Sequence, residues 1–198
     1  FCLSRGLGDV YKRQVVIHSE EVPQGWHPRY QDCTKYYEYH ILNSPIPNPL
    51  CRLTTSHVSF PLDEEKMQAA ANYLTGTHDF KSFCNIRTNT DDTIRTIYSL
   101  DVIRDGEEIK IRVSGNGFLY NMVRIIAGTL IRVGRGFYQP EQIKEILDAK
   151  ERTEAGVTAP PQGLTLIGIE YSGHVERGQS ILRRNTSLER EKNGKNLF

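Results

Sequence analysis

Between residues 54 and 172 the hydrophobic and polar positions follow two periods, and each period predicts one kind of element. Alternation with a period of two predicts four strands, and apolar residues at helical spacing predict three helices. The turn Asp105-Gly106 lies between two alternating segments and is typical of a tight antiparallel hairpin. One helix is expected to begin after Asp63 and to end at Gly76, and a short one begins at Pro140. The predicted strands are 55–60, 94–103, 108–114 and 164–171, and the main core helix is 118–133.

These elements follow the order strand, helix, strand, strand, helix, strand, which is the βαββαβ arrangement of ferredoxin-like folds. We therefore predict an α/β protein of the α+β type, with an antiparallel sheet that carries its helices on one face. A further strand is predicted over residues 35–43, and its position upstream of the unit assigns it to the end of a preceding domain. The fold alone does not identify a function, because RNA-binding modules and unrelated enzymes share it.

The two ends of the chain differ in composition from its middle. Residues 1–14 show no clear periodicity and resemble translated adaptor sequence, so we expect a non-native leader there. Residues 173–198 are rich in Arg, Glu, Asn, Ser and Gly, and we expect them to form a mobile tail. Between the ends, we interpret residues 15–53 as the remnant of an N-terminal domain with its linker, and residues 54–172 as the α/β domain.

The net charge of the 198-residue chain is +1, which points neither to nucleic acid nor to acidic partners. Because the predicted leader and tail are both basic, residues 15–172 keep 16 basic and 20 acidic side chains, a net charge of −4. Binding of a polyanion would then depend on a local group of cations. The four cysteines are widely spaced, without C-x-x-C or a paired histidine motif. This spacing argues against a zinc site and is typical of reduced thiols in a cytoplasmic protein.

Arg124 is the most informative single residue, because apolar residues surround it on almost every face of its predicted helix. A buried guanidinium needs an anion as its partner. Two interpretations stay open on this evidence. Arg124 forms an internal ion pair with Asp79 or another carboxylate, or it holds an anionic group that takes part in function.

Three tyrosines follow one another on the predicted strand 35–43, and one face of that strand could stack a base. Tyr37 and Tyr39 share a face, whereas Tyr36 points the other way. Packing in the core is the alternative for each of them. Upstream, the segment with His27 and Arg29, followed by Lys35, places cations beside aromatic residues. That combination is consistent with phosphate contacts but is weak evidence by itself.

Four stretches resemble the C-terminal part of the tRNA pseudouridine synthase A family, in the order in which that family has them. They are VPQGWHPRYQDCTKYYEY (22–39), HDFKSF (78–83), GNGFLYNMVRIIAGTLIRVGRG (115–136) and AKERTEAGVTAPPQGLTLIGIEY (149–171). The resemblance implies an isomerase that needs no cofactor or metal and that acts on tRNA as a homodimer. It would convert uridines of the anticodon stem-loop into pseudouridine by breaking the bond from the base nitrogen to ribose, turning the base and rejoining it through carbon.

The resemblance also implies roles for individual residues. Arg124 matches the family's arginine that pairs with the catalytic aspartate. Tyr37 matches the tyrosine that stacks on the target base. Leu164 matches an apolar residue that lines the pocket. His27 and Arg29 match a basic strand near the RNA, and Lys35 joins them as a candidate RNA contact.

The family's catalytic aspartate lies in a G-R-T-D-A-G-V-H type motif, which this chain does not contain. We therefore expect a fragment that lacks the catalytic carboxylate and has negligible turnover. The alternative is a non-catalytic RNA-binding or assembly domain with the same fold.

Overall fold

The computed structural model describes residues 16, 19, 21–85 and 92–172 of the chain. The predicted leader and tail lie outside these described residues. The chain divides into two compact units, residues 1–31 and residues 32–198, and every helix and strand given below belongs to the second unit.

The described part of the second unit contains six strands, three α-helices and two short 3₁₀ turns. The strands are β1 (Cys33–Asn43), β2 (Ser56–Val58), β3 (Gly76–Asp79), β4 (Ile94–Asp105), β5 (Glu108–Gly115) and β6 (Leu164–Tyr171). The α-helices are α1 (Glu64–Asn72), α2 (Met122–Gly134) and α3 (Gln142–Ala149), and the 3₁₀ turns are Lys81–Phe83 and Pro161–Gly163.

Strand β1 lies at the centre of the sheet, with β5 on one side and both β6 and β2 on the other. The order across the sheet is β6-β1-β5-β4-β3, and β2 continues the β6 side along the second half of β1. The βαββαβ unit is therefore β1, α1, β4, β5, α2 and β6. This confirms the predicted α+β fold class.

The prediction that the strand of residues 35–43 lies outside this unit is wrong. That strand, as β1, is the first strand of the unit and forms the longest ladders of the sheet outside the β4–β5 hairpin. The segment that was expected to be first, 55–60, forms only the three-residue β2. It runs parallel to β1, so the prediction of a wholly antiparallel sheet is wrong at this one pair of strands. Period-two alternation identifies a strand but does not specify its partner, which is why the sequence pattern misplaced β1.

Several predicted element ends are confirmed and others shift for local reasons. Helix α1 follows Asp63, whose carboxylate accepts a hydrogen bond from the Lys66 N–H at 3.0 Å, as an N-cap does. The helix ends at Asn72, however, and Gly76 begins β3 with a φ of +108°. Helix α2 ends at Gly134 as predicted, but it begins at Met122. The β4–β5 hairpin turns at Gly106, with a φ of +61°.

The core lies between the helices and one face of the sheet. Alternate residues of β1 and β5 point into it, and Tyr39 and Ile41 are cross-strand neighbours of Ile111 and Ile109. All four side chains are almost completely buried, together with most of the apolar face of α2. Within the described residues, none of the helices has both the length and the apolar content that crossing a bilayer requires.

The opposite face of the sheet carries a row of charged side chains across β1 and β5. The His40 ring lies 3.2 Å from Oε2 of Glu38 and 2.7 Å from Oε1 of Glu108. Glu38 also accepts a hydrogen bond from Nε of Arg112 at 2.6 Å, and Nζ of Lys110 lies 3.4 Å from Glu108. Glu38 and Arg112 are cross-strand neighbours and His40 and Glu108 are diagonal neighbours on an antiparallel pair, the arrangement that stabilises a sheet. The other two pairs lie two residues apart on one strand.

We expect this charged row to make stability depend on pH in both directions. The hydrogen bond from His40, helped by Arg112, lowers the pKa of Glu38 from 4.5 to about 2. The same bond to Glu38, together with Glu108, raises the pKa of His40 above 6.5. The contribution of Glu38 is therefore present above pH 4.5 and is lost as the pH falls toward about 2. The contribution of His40 to the free energy of unfolding is complete below pH 6.5 and is lost as the pH rises through the raised pKa of His40.

Urea denaturation of the chain from pH 3 to 9 measures this effect, with His40→Gln as the matched variant. Because both side chains are partly exposed, we expect the alkaline decline to be only about 1 kcal/mol. The variant should lose that decline and keep an acid decline, since Arg112 still pairs with Glu38. An unchanged alkaline decline in the variant would show that other groups cause it.

Candidate active site at the start of helix α2

Arg124 lies in the first turn of α2, and its side chain donates to two neutral oxygens. Its Nε donates to the carbonyl oxygen of Ala159 at 2.7 Å, and its Nη1 donates to Oδ1 of Asn121 at 3.0 Å. The Ala159 N–H in turn donates to the carbonyl oxygen of Arg124 at 3.0 Å. The half-buried guanidinium is thus fixed at two points by uncharged acceptors, and its other N–H donors are left for an anion.

Asn121, the residue before α2, has a φ of +61°, in the left-handed region. Asparagine tolerates this conformation better than most residues because its short amide can form local hydrogen bonds. Its side chain does not cap a backbone N–H of the helix, as an N-cap residue usually does, but accepts the hydrogen bond from Arg124. The same residue therefore starts the helix and orients the guanidinium.

The segment 155–159 packs tightly against α2 and carries the carbonyl group that accepts from the guanidinium. Two glycines permit this close approach. A Cβ atom on Gly128 would lie 1.8 Å from the carbonyl oxygen of Val157, and one on Gly156 would lie 2.7 Å from Cα of Thr129. The Gly156 N–H also donates to Oγ1 of Thr129 at 2.9 Å. The position of the carbonyl group thus depends on backbone contact between the segment and the helix.

Tyr37 lies on β1 on the helix-covered face, where its ring and the Phe118 ring form a T-shaped pair. The ring centroids are 5.3 Å apart and the planes are nearly perpendicular, at 86°. Phe118 was predicted to lie on the core helix, but it precedes the first residue of α2. Burial raises the pKa of the Tyr37 hydroxyl, so the side chain stays neutral at physiological pH. The half-buried ring is thus held in place by its contact with Phe118.

Leu164 is the first residue of β6 and lies opposite Tyr39 of β1. The Tyr39 side chain is fully buried, and its hydroxyl donates to the carbonyl oxygen of Pro160 at 2.8 Å. Burial raises the pKa of that hydroxyl, while a bond with Ser56 and the positive charge of Arg124 oppose the rise. The strand, the segment before β6 and the guanidinium therefore belong to one neighbourhood.

Contacts through intermediate residues connect three of the predicted site residues: Arg124, Tyr37 and Leu164. Phe118 links Tyr37 to the start of α2, and Tyr39 links Leu164 to the segment that binds Arg124. A cation, an aromatic ring and an apolar side chain in one half-buried site can hold an anionic group beside a flat, uncharged ring.

The alternative of an Arg124–Asp79 ion pair is not what the structure shows. Asp79, at the end of β3, pairs with Nζ of Lys150 at 3.0 Å and accepts a hydrogen bond from Thr93. These contacts lower the pKa of Asp79, the bond from Thr93 most of all. In the described ranges 21–85 and 92–172, no carboxylate lies within ion-pair distance of Arg124.

The three candidate RNA contacts fall in different places. Lys35, on β1, shares its face with Tyr37 and is half-buried opposite Gly115 of β5. His27 and Arg29 lie in the unit of residues 1–31, where both are exposed. There, Nδ1 of His27 accepts a hydrogen bond from the Arg29 N–H at 3.2 Å.

Sequence reasoning did not find the residues that orient the guanidinium. Asn121 resembles an ordinary helix start, and its left-handed conformation follows only from the contacts around it. Ala159 contributes backbone groups, which leave no trace in a residue pattern. The closely spaced pair of Gly128 and Gly156 on two elements was visible only as separate glycines.

The fold and the site define an α+β protein in which an arginine in the first turn of α2 is fixed by neutral acceptors and has no carboxylate partner among the described residues. The model of a protein family described as tRNA pseudouridine synthase matches residues 70–172 of the chain. The Brevibacillus brevis protein named tRNA pseudouridine synthase A is 45% identical over 172 residues, which is 86% of this chain and 69% of the relative. The chain belongs to the tRNA pseudouridine synthase A family.

Other relatives give the same result. A Thermoanaerobacter sp. protein named tRNA pseudouridine synthase A is 46% identical over 157 residues, or 79% of this chain and 64% of the relative. A Bacillus pumilus protein of that name is 45% identical over 156 residues, covering 79% of this chain and 63% of the relative. The chain thus spans about two thirds of the length of the curated relatives it matches.

Proposed function

We propose that this chain is part of an enzyme that isomerises uridine to pseudouridine in the anticodon stem-loop of tRNA. The reaction breaks the bond between N1 of the base and C1′ of ribose, turns the base and joins C5 to C1′. The C5 proton is released and N1 gains a proton, so the reaction needs no oxidant, reductant or cofactor. Membership of the family supports this proposal, and the setting of Arg124 supports it independently.

The observation that carries the proposal is the fixed guanidinium of Arg124, with no carboxylate partner among the described residues. Its two known acceptors are neutral, so its charge is not compensated there. A guanidinium beside a carboxylate in a half-buried site favours the ionised form and lowers the carboxylate pKa. We assign Arg124 the role of a positioning residue that would keep a catalytic aspartate ionised and correctly oriented.

Tyr37 and Leu164 would bind the target base. Tyr37 offers a neutral ring on which a uracil can stack, and base–aromatic stacking is worth about 1 to 3 kcal/mol. Leu164, half-buried at the start of β6, would keep water from the reacting atoms. Lys35, His27 and Arg29 would contact the RNA backbone.

A fusion protein tests this function directly. The N-terminal part of the Brevibacillus brevis relative is joined to this chain, and tRNA transcribed with [5-³H]uridine is the substrate. Because C5 loses its hydrogen when it binds ribose, tritium release counts each isomerisation. We expect release by the fusion and none by the chain alone, since we propose that the chain is a fragment without the catalytic aspartate.

Two further measurements make the result decisive. The same fusion with asparagine in place of the family aspartate should release no tritium. A folded fusion that binds tRNA without releasing tritium would contradict the proposed activity, and release by the chain alone would contradict the proposed loss of activity.

A second candidate function is a non-catalytic RNA-binding or assembly domain. The absence of the family's aspartate motif from the sequence favours it. Binding of tRNA by the chain, combined with an inactive fusion, would support this alternative. For the complete enzyme we further propose a cytoplasmic location and a homodimer. Light scattering on the fusion would test the dimer.

A further inference from the structure

Two arginines and three aromatic residues form a surface cluster at the C-terminal end of α2. The guanidinium carbon of Arg135 lies 4.2 Å from the ring centroid of Phe60 and 4.8 Å from that of Phe137. The guanidinium carbon of Arg132 lies 5.3 Å from the Tyr138 ring and 6.0 Å from Phe137. We call these five residues the arginine–aromatic patch.

Backbone hydrogen bonds fix the patch in place. Gly136 has a φ of +78°, its N–H donates to the carbonyl oxygen of Val133 at 2.8 Å, and the Phe137 N–H donates to that of Arg132 at 3.0 Å. This pair of bonds is the Schellman arrangement that ends a helix. It turns the chain back, so that Phe137 lies against both arginines. The patch is thus an ordered part of the fold and needs no rearrangement before it binds a partner.

Phe60, the aromatic residue of the patch that lies outside the α2 end, is held by hydrogen bonds from Asn43 of β1. Nδ2 of Asn43 donates to the carbonyl oxygen of Phe60 at 2.7 Å and to that of Val58 at 3.0 Å. Phe60 is nevertheless 55% exposed, and Phe137 is 61% exposed. Two phenylalanines held on the surface beside cations are unusual for packing alone, because an exposed cation–π pair contributes only about 0.5 to 1 kcal/mol.

The positive charge of the patch has no carboxylate partner in the part of the chain that the structure describes. Two acidic residues at the start of α1 already have partners: Asp63 caps α1 and pairs with Lys66 at 3.1 Å, and Glu64 pairs with Arg104 at 2.9 Å. Glu154 also lies near the patch, because its carbonyl oxygen accepts from the Tyr138 hydroxyl at 3.3 Å, but among the described ion pairs it has none with either arginine. By contrast, four cations of β4 and β5 form ion pairs with carboxylates: Arg95, Arg104, Lys110 and Arg112. The patch is therefore a local positive site on a domain that is acidic overall.

The guanidinium groups of the patch keep donors available. Contact with an aromatic ring uses the face of a guanidinium, and its N–H groups point outward in the plane. Among the described residues, Arg132 uses one donor, from Nη1 to the Tyr138 hydroxyl at 2.7 Å, and the side chain of Arg135 uses none. In-plane N–H groups match the oxygens of a phosphate, and exposed rings match an unstacked base.

We propose that the arginine–aromatic patch is a second tRNA contact, which binds backbone phosphates through Arg132 and Arg135 and an adjacent base or sugar through Phe60 and Phe137. Arg135 follows Arg124 by eleven residues, or about three helical turns, so the patch lies about 16 Å along α2 from the proposed active site. This inference rests on the proposed function, which supplies tRNA as the ligand. It adds a contact that fixes the distance between the bound backbone and the target uridine.

Charge favours RNA over a second copy of this chain as the occupant. If the patch lay on the two-fold axis of a symmetric dimer, it would face itself, and four arginines would meet without a compensating acid. RNA supplies the opposite charge at every nucleotide.

The test is equilibrium binding of the full 198-residue chain to an unmodified tRNA transcript between 50 and 300 mM KCl. The variant is Arg132→Gln with Arg135→Gln. The binding constant K falls as salt rises, so the slope of log K against log salt is negative. Each lost phosphate contact should reduce the magnitude of that slope by about 0.7 to 0.9. We expect the magnitude to fall by about 1.5 and the affinity in 100 mM salt to fall about tenfold or more.

The matched control is Arg52→Gln with Lys144→Gln, which removes the same charge from exposed positions elsewhere. It should change the slope much less. Replacing Phe60 and Phe137 by leucine should weaken binding severalfold at an unchanged slope, because it removes stacking and keeps the charge. This variant also keeps the proposal testable if the glutamine variant does not fold.

Three outcomes would overturn the proposal. They are a parental slope in the glutamine variant, an equal loss in the control, and no tRNA binding by the parent chain. A loss of thermal stability with the parental slope would show that the arginines only stabilise the end of α2. None of these results bears on tritium release by the fusion protein, so failure of the patch is distinguishable from failure of the proposed activity.

Discussion

Replacing Gly128 by alanine is expected to destabilise the chain by about 2 kcal/mol. The new Cβ atom would lie 1.8 Å from the carbonyl oxygen of Val157, so either the helix or the segment 155–159 must move. Overpacking of a close contact typically costs 1 to 3 kcal/mol or more, and the better helix propensity of alanine recovers about 1 kcal/mol at most. Urea denaturation followed by circular dichroism measures the loss.

A matched control is Lys144→Ala, which places alanine on an exposed face of α3 and should change stability by less than about 0.5 kcal/mol. If Gly128→Ala were as stable as the parent, the segment 155–159 would not lie against α2 at the separation described. The carbonyl group that orients Arg124 would then need another explanation.

Replacing Arg124 by lysine in the fusion protein should lower kcat about 100-fold to 1000-fold, the range found when one preorganised donor is removed from an active site. Lysine keeps the charge but cannot bond Ala159, Asn121 and a carboxylate together, as the guanidinium fork can. Tritium release at saturating tRNA measures the effect.

The methionine variant at the same position separates an electrostatic role from a structural one. Without the positive charge, the pKa of the catalytic carboxylate should rise, so the acid limb of the pH–rate profile should move to higher pH. Arg112→Lys, on the opposite face of the sheet, is the matched control and should keep the parental profile. An Arg124→Met variant with a lower rate but an unmoved acid limb would contradict the electrostatic role.

The sequence predicted the elements of this fold better than their arrangement. The hairpin at Gly106, the end of α2 at Gly134 and the strand Leu164–Tyr171 all lie where local patterns predicted them. These features depend on turn glycines and on periodicity, which are local properties. The central position of β1 depends on residues distant in the chain, and a single sequence with period-two alternation carries no record of them.

The site shows the same division. Arg124 was recognisable because a charge within an apolar helix is locally anomalous, and its place beside Tyr37 and Leu164 was predicted only from the family resemblance. Asn121 and Ala159 could not be predicted. One depends on a left-handed backbone angle that asparagine permits but does not require, and the other acts through its backbone groups.

The central position of β1 also has a consequence for synthesis on the ribosome. Among the described strands β1 is made first, yet the hydroxyl of its Tyr39 bonds to Pro160, 121 positions later, and its neighbour β6 is completed later still. Until β6 is made, one edge of β1 carries unpaired backbone groups beside exposed tyrosines, which is the kind of surface that associates with other chains. Such long-range pairing makes folding slow. This edge of β1 is therefore covered by β6 only after the last strand has left the ribosome.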